Sequence, residues 1–227
     1  MEKEIRNLDS TDCEIRVAPS GRKVEGYAIV FNKESRDLGG FREVIRPEAI
    51  KGVLEESDVL ALLNHNIDKG VLARSTKLSG TLNLTVDNRG VAYSFDAPKT
   101  TLGDEVVEGI KRGDIRTSSF AFTVAQNGEV WSERAEGYLR EIVKFNMIYD
   151  VSPVYREAYQ DTSVALRSLD EIKKDTEHKE VEEESEAAES EAAKTTTEET
   201  EGKEDDYRMN DEDRLLEQRS NNLKFQQ

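Results

Sequence analysis

The feature that most limits what this chain can fold into is a break in composition near residue 170. Between Ile172 and Asp206 there is no aromatic residue, and residues 182–194 are a run of Glu, Ser and Ala closed by Lys194. Thr195-Thr-Thr-Glu-Glu-Thr follows. Such a segment cannot bury enough apolar surface to offset chain entropy. Of the 48 acidic and 32 basic residues, residues 170–227 hold 21 and 9, so most of the net charge of −16 sits there. A core must be built by the first 169 residues. Two domains are therefore expected: a folded part over 1–169 and an acidic low-complexity tail over 170–227, helical or disordered. Leu215, Leu216, Leu223 and Phe225 mark a terminal helix that could dock on a partner.

Within 1–169 the pattern is that of short strands. Residues 13–31 read as a hairpin about the turn Pro19-Ser-Gly-Arg, and Phe41-Arg-Glu-Val-Ile as a short extended piece. Pro47 suits the first position of a short helix carrying Ile50, Val53 and Leu54. Residues 58–63 form an apolar run of strand length. Leu82, Leu84 and Val86 alternate with polar residues, and Asp87-Asn-Arg-Gly turns the chain back through Val91 to Phe95. A second helix is expected from Thr101, with Asp104 as a capping-box partner, a buried stripe of Val106, Val107 and Ile110, and a stop at Gly113. Residues 116–124 and 138–151 read as two further strands. The fold class is mainly β with peripheral helices (α+β), as a barrel or sandwich. Strands and helices do not alternate as a parallel α/β fold requires.

Composition also excludes functions. A negative chain without a basic block is a poor nucleic-acid binder. One cysteine, Cys13, cannot form an internal disulfide and fits a reducing cytosol. One cysteine and two histidines offer too little for a structural zinc site, so neither metal nor cofactor is expected. No apolar run approaches a membrane span, and Met1-Glu-Lys-Glu-Ile-Arg lacks the apolar core of a signal peptide. The common nucleotide-binding, metalloprotease and hydrolase motifs are absent.

Chemistry points to His65. It follows an apolar strand in Leu62-Leu-Asn-His-Asn and is the only histidine of the folded part, His178 lying in the tail. Any imidazole base must therefore be this one, although a lone histidine is more often a surface or hydrogen-bonded residue. Strand periodicity separates the candidate nucleophiles in Thr117-Ser-Ser-Phe-Ala-Phe-Thr-Val. Ser118 shares a face with Phe120, Phe122 and Val124, which suits a core. Ser119 shares the other with Thr117, Ala121 and Thr123, which suits a cleft, or else a close-packed sheet. Cys13 has no local sign of thiolate stabilisation and reads as a packing residue. A third group would be a carboxylate. Asp150 is first choice and Glu141 second, each with the plainer reading of a turn cap or ion-pair partner.

These residues resemble a family. Glu25-Gly-Tyr-Ala-Ile-Val-Phe-Asn, Phe41-Arg-Glu-Val-Ile-Arg-Pro-Glu-Ala-Ile, Leu63-Asn-His-Asn, Leu72-Ala-Arg-Ser, Gly113-Asp-Ile-Arg-Thr-Ser-Ser-Phe-Ala-Phe and Asp150-Val-Ser-Pro-Val are similar, in order and spacing, to blocks of the HK97-type bacteriophage prohead proteases. That family is related to the herpesvirus maturational proteases, and the likeness covers roughly residues 13–167. It implies a mostly antiparallel barrel with surrounding helices. It implies His65 as the catalytic histidine and Ser119, in place of the serine of a Ser-Phe-Gly-Phe pattern, as nucleophile, with Ala121 replacing the glycine. It implies Asp150 as the acid before Val-Ser. Glu157-Ala-Tyr stands where the family has Pro-Ala-Tyr. The implied activity is a serine endopeptidase packaged in the procapsid within the host cytoplasm. It would cut the scaffolding segment from the major capsid protein, and then itself. Self-association is a further implied partner class; nucleic acid and membrane are not. The alternative is a catalytically silent scaffold acting through the acidic tail. An esterase with the same dyad is weaker, since nothing marks a pocket for a small ester.

Overall fold

The structure is a computed structural model that describes residues 2–8, 10–19, 21–155 and 164–174. The chain divides into two compact units, Met1–Asp170 and Glu171–Gln227. In the second only residues 171–174, which are helical, are described. The acidic run, His178, the 211–225 segment and Glu157-Ala-Tyr lie outside the described residues.

Thirteen strands form three sheets among the described residues. The largest has six strands: β1 (Glu4–Asn7), β10 (Thr117–Val124), β13 (Phe145–Val154), β5 (Asp58–Ala61), β6 (Ala73–Thr76) and β7 (Ser79–Gly80), in that spatial order. A second of four strands runs β2 (Arg16–Val17), β3 (Lys23–Val30), β9 (Gly90–Asp96), β8 (Leu82–Val86). A third joins β11 (Glu129–Arg134), β12 (Gly137–Ile142) and β4 (Phe41–Ile45). The helices are short: α1 (Ser10–Cys13), α2 (Val53–Glu56), α3 (Thr101–Arg112) and α4, over 164–174.

The class is mainly β with a few helices, as expected, but the barrel is corrected: no sheet closes, and β1 and β7 stand as the ends of the largest. Two pairings are parallel, β13 with β5 and β12 with β4. Alternation along a strand is the same in an open and a closed sheet, so the pattern could not decide between them.

Local departures have local causes. Cys13 lies in a helical turn rather than a strand, fully buried, with its thiol 3.2 Å from the Arg116 carbonyl oxygen. The helix at Pro47 is a 3-10 turn (Pro47–Ile50) parted from α2 by Gly52, whose φ is +76°. Thr100, not Thr101, caps α3: its hydroxyl accepts from the Gly103 N–H at 3.2 Å, and Asp104 pairs instead with Arg22 at 2.6 Å. The expected stripe and the Gly113 stop are in place. The long strand is two, β12 and β13, because the N–H groups of Val143 and Lys144 both turn to the Gly128 carbonyl.

The core lies between the sheets. Phe120, Phe122 and Phe145 make ring contacts at 4.9 to 6.1 Å, and Tyr93 and Phe95 join from β9. Leu38, Phe41, Ala165 and Leu169 form a smaller cluster in which α4 covers β4.

Candidate active site

Three adjacent strands of the large sheet carry the site. β13 lies between β10 and β5, so a residue on each comes within side-chain reach of the others. Ser119 on β10 pairs with Ser152, and Ala121 pairs with Asp150. Asp150 in turn pairs with Leu60 on β5, and the chain leaves β5 through Leu62 and Leu63 to His65.

The loop that presents His65 is strained. Asn64 and His65 have φ of +54° and +56°, a left-handed region that costs an L-residue roughly 1–2 kcal/mol. Strain of this kind persists only where neighbours over-determine it. Here β13 does so. The Asn64 N–H donates to the Pro153 carbonyl at 3.1 Å, and the Asn64 Oδ1 accepts from the Tyr155 N–H at 3.1 Å. The His65 N–H donates to Ser152 Oγ at 3.3 Å.

The side chains then line up. His65 Nε2 lies 2.6 Å from Ser119 Oγ, and His65 Nδ1 lies 2.5 Å from Asp150 Oδ1. The same Asp150 oxygen accepts from Ser152 Oγ at 2.8 Å. A neutral imidazole has one N–H and one lone pair. If the N–H faces Asp150, the lone pair faces the Ser119 hydroxyl.

Ser119 Oγ has a second neighbour, the Arg6 carbonyl oxygen on β1, at 2.9 Å. Ser119 is wholly buried, and the His65 side chain is 11% exposed. The face of β10 expected to open on a cleft is therefore covered in this structure. Thr117, Ala121 and Thr123 on that face are buried too.

The remaining candidates lie elsewhere. Ser118 is on the core side, its hydroxyl 2.8 Å from the Tyr93 hydroxyl. Burial pushes the Tyr93 phenol well up from its ordinary value, so this pair stays neutral. Glu141, the second choice for a third member, accepts from Arg46 Nε at 2.6 Å on another sheet.

Sequence reasoning did not single out Ser152, Asn64 or Arg6. Period two on β13 would have put Ser152 on the face of Asp150. Nothing local marks Arg6, which reaches Ser119 through its carbonyl.

Beside β1 lies a buried ionic cluster. Arg140 Nη1 is 2.7 Å from Glu4 and 2.8 Å from Glu43, and its Nη2 bonds Glu129. Arg6 Nη2 is 2.6 Å from Glu4 and 3.0 Å from Glu43. Burial pushes the Glu4 carboxyl up, but the hydrogen bonds and charges of Arg140 and Arg6 outweigh it and hold Glu4 below its ordinary value.

No curated protein and no solved structure matches the chain. A family model does: that of the caudovirus prohead serine protease, over residues 11–175. That span holds His65, Ser119 and Asp150 and most of all three sheets, with β1 lying just before it. This chain belongs to the caudovirus prohead serine protease family.

Proposed function

We propose that this chain is a serine endopeptidase that releases the scaffolding segment of the major capsid protein inside the procapsid, and that it also cuts itself. In this reading residues 1–169 are the catalytic domain and 170–227 the acidic tail. The observation that carries the reading is the unbroken contact from Asp150 through His65 to Ser119, at 2.5 and 2.6 Å.

The chemistry follows from those atoms. Ser119 Oγ attacks a peptide carbonyl carbon as its proton passes to His65 Nε2. Asp150 holds the tautomer and steadies the positive imidazolium that forms. The tetrahedral adduct collapses as His65 returns the proton to the leaving amine. Water then attacks the acyl carbon as His65 takes its proton, and the second adduct collapses to a carboxylic acid as His65 returns that proton to Ser119 Oγ. Backbone N–H groups must meet the developing oxyanion. The order His65, Ser119, Asp150 along the chain differs from those of the trypsin, subtilisin and α/β-hydrolase groups.

Co-expression with the cognate major capsid protein tests this, with intact masses read for both chains. The wild type should trim the capsid protein and its own chain, and Ser119→Ala should trim neither. Equal cutting by both would remove Ser119 from the role. No cutting by either, with particles still assembled, would sink the peptidase reading.

A further inference from the structure

A peptidase whose nucleophile is wholly buried is closed, and the structure identifies what closes it. β1 lies antiparallel on β10 with Asn7 opposite Ser119, Arg6 opposite Phe120 and Ile5 opposite Ala121. Two hydroxyls on the Ser119 face of β10 turn onto carbonyls of this segment: Ser119 onto Arg6, and Thr117 onto Leu8. The Leu8 N–H donates to the Ser118 carbonyl at 2.8 Å. A chain of peptide carbonyls is thus laid along the nucleophile's own strand, one of them 2.9 Å from Ser119 Oγ. An extended peptide added to an exposed sheet edge would take the same path.

We propose that the β10 edge is the binding track for an extended substrate segment, and that residues 4–7 occupy it here as a built-in strand which must leave before Ser119 can act. This inference rests on the peptidase reading above. The ligand class is a peptide with an acidic residue two positions before a basic one, the basic residue's carbonyl meeting Ser119.

Three observations support it. The strand is separate from the shared family core, since the family match starts at residue 11 and β1 ends at Asn7. The strand is anchored by charge: Glu4 and Arg6 turn to the buried cluster, while Ile5 and Asn7 are half-buried. Buried ion pairs contribute less net stability than the same volume of apolar packing, because the ions regain hydration on release. Finally, the seat stays partnered without its occupant. When Glu4 and Arg6 leave, Arg140 keeps Glu43 and Glu129. One cation and two carboxylates then face the track, arranged to take back an acidic and a basic side chain at the spacing of Glu4 and Arg6.

The release is local, an edge strand opening from its sheet. Its consequence is kinetic: the reactive fraction of the enzyme is the fraction with the track vacant.

The test uses the full chain carrying Ile5→Cys and Ala121→Cys, which are cross-strand partners. Phosphonylation of Ser119 by a fluorophosphonate probe is followed by intact mass, in oxidised and reduced samples, with Arg6→Ala as a second variant. The oxidised, locked chain should label about 100-fold more slowly than the reduced chain. Arg6→Ala should label faster than wild type. A peptide carrying Glu-Ile-Arg-Asn should be cut about tenfold faster than one carrying Arg-Ile-Glu-Asn. Equal labelling of Ser119 in locked and reduced chains overturns the proposal and leaves the peptidase reading intact. Equal cutting of the two peptides overturns the ligand class. Should Ser119 take no label in any form while wild type leaves capsid protein uncut, the peptidase reading falls and this inference falls with it. The locked and reduced samples are one polypeptide, so the comparison holds even if Arg6→Ala does not fold.

Discussion

The Ser119 hydroxyl has one hydrogen and two acceptors within reach, His65 Nε2 at 2.6 Å and the Arg6 carbonyl at 2.9 Å. Which one receives it depends on the imidazole tautomer, and Asp150 decides the tautomer by accepting from Nδ1. Asp150→Asn would present an amide N–H to Nδ1 and move the ring hydrogen to Nε2, where it blocks proton uptake. On capsid-protein cleavage we expect kcat to fall by about 10⁴-fold, with folding unchanged by circular dichroism. Ser152 acts one step further out, donating to the Asp150 carboxylate and holding the His65 N–H. In the proposed reaction it is a positioning residue. Ser152→Ala should lower kcat by up to about 100-fold at unchanged KM, and Ser152→Thr should restore much of it. A purely structural role would move KM and stability instead, and would not be rescued by the hydroxyl alone. At this scale much of the site was legible. Scarcity singled out His65, and period two set Ser119 and Ser118 on opposite faces of β10. Period two also sets Ser152 on the face of Asp150, but a serine two places after an acid carries no local mark of a role.

At the scale of elements, the feature to test is the turn after β5. Two successive left-handed residues, Asn64 and His65, aim the imidazole across β13 towards β10. Asn tolerates that conformation better than other non-glycine residues, and its side chain is also held by the Tyr155 N–H. Asn64→Ala loses both advantages. It should cost about 1–2 kcal/mol in denaturant unfolding and lower turnover with it, as the ring loses its fixed approach. An unchanged midpoint would mean that β13 alone sets the loop. Elements with strong local signals were readable: the Asp87 to Gly90 turn, where Asp87 Oδ1 accepts from the N–H groups of Arg89 and Gly90, and the α3 stripe with its Gly113 stop. The split between β12 and β13 was not, because it depends on the Gly128 carbonyl brought from another turn.

Across the whole molecule, the buried ionic cluster joins two sheets: Glu4 and Arg6 come from the six-stranded sheet, and Glu43, Glu129 and Arg140 from the three-stranded one. Arg140 is 1% exposed and bonds three carboxylates, of which Arg6 reaches only Glu4 and Glu43, so Arg140→Met removes a cation from all three. A loss of about 3–5 kcal/mol is expected, read from thermal or urea unfolding. Glu4→Gln removes one charge of the excess sign and should cost less. Its pH dependence has a fixed direction. The folded Glu4 carboxyl is held below its ordinary value, so its contribution is complete above the ordinary glutamate range and is lost as pH falls through the folded value. Wild type and Glu4→Gln should therefore differ in unfolding midpoint at pH 7 and converge only as pH falls through the lowered folded value of Glu4. Curves that stay parallel into acid would show that Glu4 contributes through packing and not through charge.

The sequence by itself determined the class of fold, most strand positions, and the short set of candidates for acid–base chemistry. These follow from hydrophobic period, turn chemistry and the scarcity of histidine, all of which are local. Only the tertiary structure decided that the sheets stay open, that β5 and β13 run parallel, and that β1 lies over Ser119. Each of those depends on which strands meet across long sequence separations. Edge groups of a strand carry no side-chain code for their partner, so the Arg6 carbonyl could be placed beside Ser119 only once the chain was folded.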